Sequence, residues 1–179
     1  MATKIEAVGQ FLTDAELHFA MDEAKARIET GFRTEFYVNP QGDPLLPIII
    51  VIEESGEFIV LVAPFCYCCE NPEHFPAVLE ACNHVARARK MVRFSLDPAD
   101  GEVRAELHLP LEDAIPTQQQ FLRILHVFPQ VVDDLDPMFR EAVEEGRFVP
   151  PESPAEMLRA FREFMRQRRK APVAVELAE

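Results

Sequence analysis

Apolar residues recur along this chain in two rhythms, every three to four positions and every second position. The changes of rhythm mark its elements. Leu17, Ala20, Met21, Ala24 and Ile28 follow the helical period, with Thr13 and Glu16 as a T-x-x-E capping box and Leu12 and Leu17 as a staple. This predicts a first helix from Thr13 that ends at Gly31. "FRTEFYV" (32–38) then alternates as a half-buried strand, and "NPQGDP" (39–44) is turn chemistry. "LLPIIIVIEE" and "FIVLVAPFCYC" are apolar on both faces and predict sheet-interior strands, joined as a hairpin around Gly56. Pro47 sits uneasily inside the first of them, because proline donates nothing to a ladder.

After Asn71 as N-cap and Pro72 at the first position, Phe75, Val78, Leu79, Cys82 and Val85 outline a second helix. "MVRFSL" (91–96) and "EVRAELHL" (102–109) flank the turn "DPADG" and form a second hairpin. Thr117 and Gln120 cap a third helix with Phe121, Ile124, Leu125, Phe128, Val131, Val132 and Leu135 on its stripe. Pro129 predicts a kink there, and Asp136-Pro137 a fresh start that runs to Gly146. The expected order is α-β-β-β-α-β-β-α. Strands arriving as hairpins indicate an α+β fold with an antiparallel sheet packed by helices.

Two domains are expected: an α+β body over 1–148, and a linker with a basic amphipathic helix and disordered tail over 149–179. In that last helix Met157, Leu158, Phe161, Phe164 and Met165 form an apolar edge, expected to make its contacts. The net charge of −13 sits in the body, whereas residues 153–179 carry six Lys and Arg against four Asp and Glu. An acidic surface repels phosphate backbones, which argues against direct nucleic-acid binding. The start lacks the apolar run of a secretory signal, and apolar runs stop at eight residues where a membrane span needs roughly 20. Cytoplasmic placement and no membrane partner follow as expectations, and in that compartment thiols stay reduced.

The chemistry-bearing candidates are few. Cys66, Cys68 and Cys69 cluster near His74, with Cys82 and His84 further on. Zinc sites usually take C-x₂₋₄-C pairs on tight turns. Here Cys66 and Cys68 are two apart, so a continuing strand would point both one way and Cys69 the other. Cys66, Cys69 and His74 are the candidate ligands if the strand ends early; small buried hydrophobes are the alternative. His18, His84, His108 and His126 read as single surface histidines, and no G-x-S-x-G or H-E-x-x-H occurs. Asp133, Asp134 and Asp136 lack the spacing of a calcium loop and read as a solvated helix face. No catalytic residue and no cofactor is expected.

The helix ending at Asn83, the paired strands around Asp97–Gly101, and "LPLEDA" before the helix at Thr117 resemble the YbjN-like family, labelled bacterial sensory transduction regulators. The resemblance spans roughly residues 12 to 146. It implies a fold like that of type III secretion chaperones, and a homodimer that binds a partner polypeptide without catalysis. Within such a dimer Val78, Ala81, Val85, Val92 and Phe94 are the expected association surface. The terminal basic helix and the cysteines depart from that pattern. The competing expectation is a thiol- or zinc-dependent protein using Cys66, Cys68 and Cys69.

Overall fold

Ile5, Val8 and Leu12 share one helical face, and in the computed structural model, which describes residues 3–112 and 114–151, they are buried on a helix α1 (Ile5–Asp14). The predicted helix from Thr13 does not form. Thr13 turns its hydroxyl back to the Gly9 carbonyl (3.0 Å), and Glu16 adopts a left-handed φ of 56° that takes the chain out of the helix. Residues 19–33 are instead a hairpin of β1 (Phe19–Asp22) and β2 (Arg27–Arg33). Met21 faces Ile28 and Phe19 faces Thr30 across it. These positions satisfy a period of two as well as a helical one, and the ladder with β3 decides between them.

β3 (Leu45–Glu53) and β4 (Phe58–Cys68) form the predicted hairpin, with Gly56 at φ 103° in its turn. Asn71 caps a short 3₁₀ turn by accepting from the Glu73 N–H, and α2 (Phe75–Ala88) continues from it. β5 (Val92–Leu96) and β6 (Glu102–Pro110) pair as expected. The six strands make one antiparallel sheet in the order β1-β2-β3-β4-β6-β5. The fold is therefore α+β with an antiparallel sheet, holding one strand more than the pattern suggested. The predicted strand 32–38 is split, because its residues beyond Arg33 leave the sheet as a loop.

α3 (Gln118–Glu145) starts at the Thr117–Gln120 capping box, whose reciprocal bonds are both made. It runs unbroken through Pro129 and Pro137, about 42 Å at 1.5 Å per residue. The predicted restart at Asp136 does not occur, because Asp136 turns its carboxylate inward to Tyr67 and Arg140 instead of capping. α3 packs on both α1 and α2, and the three helices lie on one sheet face. Between them lie Ile28, Leu46, Ile48, Ile50, Leu61 and Leu107, with Phe139 stacked between Tyr67 and Phe94 at 5.2 and 4.2 Å. Each such side chain contributes ~1.5–3 kcal/mol by leaving water.

The expected association surface belongs to this core. Val78, Ala81, Val85, Val92 and Phe94 are buried within the chain, where α2 and β5 meet, and have no surface to offer a second subunit. Both surfaces need the same apolar spacing, so spacing could not separate them. Contacts divide the chain into Met1–Val149 and Pro150–Glu179, and every element above belongs to the first unit. The predicted terminal helix with Met157, Leu158, Phe161, Phe164 and Met165 lies outside the described residues.

Candidate protein-binding surface

Side chains alternate across a sheet, so burying Leu46, Ile48 and Ile50 under the helices turns Leu45, Pro47, Ile49 and Val51 to the opposite face. Register places Ile49 opposite Val62 and Val51 opposite Val60. No described helix covers this strip, and Ile49, Val51 and Val62 stay half-exposed along the middle of the sheet. An open groove of about 390 Å³ runs beside it, walled by Leu45, Pro47, Ile49 and Pro64, with Arg27 and Glu29 on its rim.

The two prolines explain the groove's position. Pairing of β3 with β4 begins at Ile49–Val62, so Pro47 and Pro64 lie just where the two strands part. Neither residue has an N–H to lose from a ladder.

Both margins of the strip carry charge that is already partnered. On β2 Arg27 bonds Glu29. Across β5 and β6 Arg93 bonds Glu106 (Nε–Oε2 3.0 Å) and the His108 ring (Nη2–Nε2 2.9 Å), while Arg104 bonds Glu102. An apolar centre between satisfied polar rims is the usual anatomy of a protein-binding surface.

At the end of β4 the cysteine segment departs from a regular strand. Pairing jumps from Ala63–Ala105 to Tyr67–Val103, so Pro64, Phe65 and Cys66 bulge out opposite Arg104 alone. The bulge breaks the alternation: Cys66 and Cys69 are buried and Cys68 is exposed. Glu102, only 2% exposed, accepts from the Phe65 N–H (2.9 Å) and from Arg104. The Tyr37 hydroxyl donates to the Cys66 carbonyl (3.2 Å). Phe65 sits at a left-handed φ of 45°, a costly conformation for a bulky residue, and the residue is 48% exposed. Exchanging Phe65 for Asn, which tolerates this backbone, should raise stability by about 0.5–1 kcal/mol in urea unfolding. A lower stability would mean that the ring's contacts outweigh the strain.

The Cys66, Cys69 and Cys82 thiols are held in their protonated form. Burial pushes Cys66 well up, raises Cys69 against the hydrogen bond it makes to Asn71, and lifts Cys82 to about 12. The candidate ligands do not converge. Cys69 Sγ points to the Asn71 carbonyl at 3.5 Å, and His74 donates from Nδ1 to the Val143 carbonyl at 2.8 Å. Among the described residues no three His, Cys, Asp or Glu side chains form a group able to hold a metal ion. The other histidines are equally dispersed: His84 lies by Phe148, His126 edge-on to Phe32, and His108 in the Arg93 cluster.

The acidic run of α3 has a structural task that its spacing did not reveal. Asp133 accepts from the backbone N–H groups of Glu35, Phe36 and Tyr37 at 2.7–2.8 Å. Asp136 is buried against Tyr67 and Arg140, Arg140 reaches the Val38 carbonyl (2.9 Å), and Asp134 pairs with Arg89. Together Asp133 and Arg140 fasten loop 34–39 to the helix. The face read as solvated is thus partly a clamp. The one sequence signal for it was a run of short acids amid a strong apolar stripe.

Fold and surface together define an α+β domain with an open apolar sheet face. The chain belongs to the YbjN family, described as "putative bacterial sensory transduction regulator", whose model matches residues 36–141. Among solved structures it is similar to YbjN from E. coli, at 12% identity and a TM-score of 0.56, covering 76% of this chain and 94% of that one. It is also similar to a chain of the HopA1–SchA chaperone–effector complex, at 12% identity and a TM-score of 0.39, covering 68% and 88%. No curated protein matches. Among the described residues no helix is long and apolar enough to cross a membrane.

Proposed function

We propose that this protein works by binding rather than by catalysis: a cytoplasmic homodimer that holds a partner polypeptide on its open sheet face, in a regulatory role. The observation that carries the reading is the half-exposed strip of Ile49, Val51 and Val62 between self-paired charges. Affinity comes from apolar area removed from water, about 25 cal/mol per Å², less the ordering of the partner. The paired rims add little attraction and disfavour partners that bring unmatched charge. Membership of a family described as regulatory, and thiols held protonated by burial, both agree with this reading.

The test is capture from native lysate on the immobilised full chain, with an Ile49→Asp/Val62→Asp double variant and a chain lacking residues 150–179 alongside. Wild type should retain a discrete partner, and the double variant should bind it about 100-fold more weakly, since carboxylates at the centre of an interface strand unpaired charge. Equal capture by a well-folded double variant would remove the sheet face from the proposal. Light scattering at the chain mass of 20.4 kDa, instead of twice that, would remove the dimer.

A further inference from the structure

A second concavity, unrelated to the sheet-face strip, opens between the start of β5, the end of β6 and the first turns of α3. Its volume is about 420 Å³, within the roughly 300–1,000 Å³ of small-molecule sites. Met91, Leu109, Leu111, Ile115, Pro116 and Ile124 line it. Two of its polar neighbours differ in availability. Gln120 is committed to the capping box with Thr117, whereas Arg123 makes no hydrogen bond or ion pair among the described residues. Arg33 and Arg87 share that state among the described residues, but of the three only Arg123 lines this concavity, whereas Arg27, Arg89, Arg93, Arg104, Arg140 and Arg147 all meet carboxylates.

The walls are also held in costly backbone. Met91 has φ 73° and is 52% exposed, and Glu112, beside Leu111, has φ 53°. Left-handed non-glycine residues persist only where the surroundings impose them, and they gather at ligand clamps. Here the strain presents a flexible thioether side chain, well suited to an irregular apolar ligand, at the mouth of the groove.

We infer that this groove binds an aliphatic monocarboxylate, its chain laid along Met91, Leu109 and Ile115 and its carboxylate on the Arg123 guanidinium. An arginine fork matches a carboxylate in two parallel hydrogen bonds, which a neutral or cationic head group lacks. The acidic body repels anions elsewhere, so a local cation beside an apolar wall selects where such a ligand settles.

The experiment titrates the full chain with decanoate, decan-1-ol and decyltrimethylammonium while following the methyl resonances of Met91 and Ile115. Decanoate should shift both saturably. Arg123→Gln should weaken decanoate about tenfold and leave decanol unchanged, while Arg123→Lys, which keeps the charge but loses the fork, should fall between Gln and wild type. Ile115→Asp should abolish binding of both. Equal decanoate affinity in wild type and Arg123→Gln would overturn the assignment. So would shifts that fail to saturate or that centre elsewhere, or a cationic amphiphile bound as tightly as the acid.

Discussion

Replacing Asp136 by Ala should lower the unfolding free energy by about 3 kcal/mol, the lower end of the range for breaking a buried ion pair. Asp136 is 3% exposed and accepts from Tyr67 Oη (3.2 Å) and Arg140 Nε (2.8 Å). Alanine leaves the Tyr67 hydroxyl inside the core without an acceptor. Arg140 fares better, since it is partly exposed and reaches Glu144 and Val38 as well. Asp136→Asn keeps an acceptor for Tyr67 and should recover more than half of the loss. Urea unfolding of the three proteins at neutral pH decides the matter. An alanine variant within 1 kcal/mol of wild type, an order-of-magnitude bound for surface substitutions, would show that the carboxylate is as costly to bury as its partners are worth.

The second large effect belongs to Asp133, one helical turn earlier, and it has the opposite pH dependence. Burial works against the Asp133 carboxylate, yet the N–H groups of Tyr37, Glu35 and Phe36 outweigh it and hold the carboxyl below its ordinary range. Its stabilising contribution is therefore complete above the unfolded value, near 3.9, and is lost as pH falls through the folded one. For Asp136, burial dominates over Arg140 and Tyr67 and raises the carboxyl. Its protonated form is favoured by folding, so that contribution is present below the unfolded value and fades as pH rises through the folded one. Asp133→Ala should cost about 2 kcal/mol, because three backbone donors lose a charged acceptor but water reaches part of the site. Asp133→Asn should flatten the acid limb of the stability curve. Hydrogen exchange at Glu35, Phe36 and Tyr37 should speed up in both variants while the amides of β3 and β4 keep their protection. Unchanged exchange at those three amides would release the clamp from this account.

Legibility from the sequence followed the range of the interactions involved. Asn71 before Pro72, Thr117 with Gln120, and Gly56 between two apolar strands act within a few residues, and each does what its spacing predicts. The failure at Thr13–Gly31 has a different cause. Leu17 and Met21, like Ile28 and Phe32, stand four apart, a spacing that suits both periods, and the choice rests on β3, whose ladder with β2 pairs Ile28 with Ile50 and Phe32 with Leu46. Once that ladder forms, the residues have to alternate.

Pro129 and Pro137 show the same competition. Each removes one intrahelical hydrogen bond, a loss of about 3 kcal/mol or more, yet the stripe from Phe121 to Ala142 buries enough apolar surface to hold the helix together. The cysteines make the case from the other side. Their spacing suggested a shared face along a strand, but the bulge at Pro64–Cys66 turned Cys66 inward and left Cys68 outside. A bulge depends on what the partner strand offers, here the Glu102 carboxylate thirty-seven residues away.

Local periodicity, caps and turns, all short-range effects, were enough to determine an antiparallel α+β architecture, its two later hairpins and the capped start of its third helix. Only the folded arrangement decided which apolar residues face inward, which strip is left open, and which carboxylates serve as clamps. Those outcomes depend on contacts between segments tens of residues apart, where burial and hydrogen-bond satisfaction outweigh any residue's intrinsic preference.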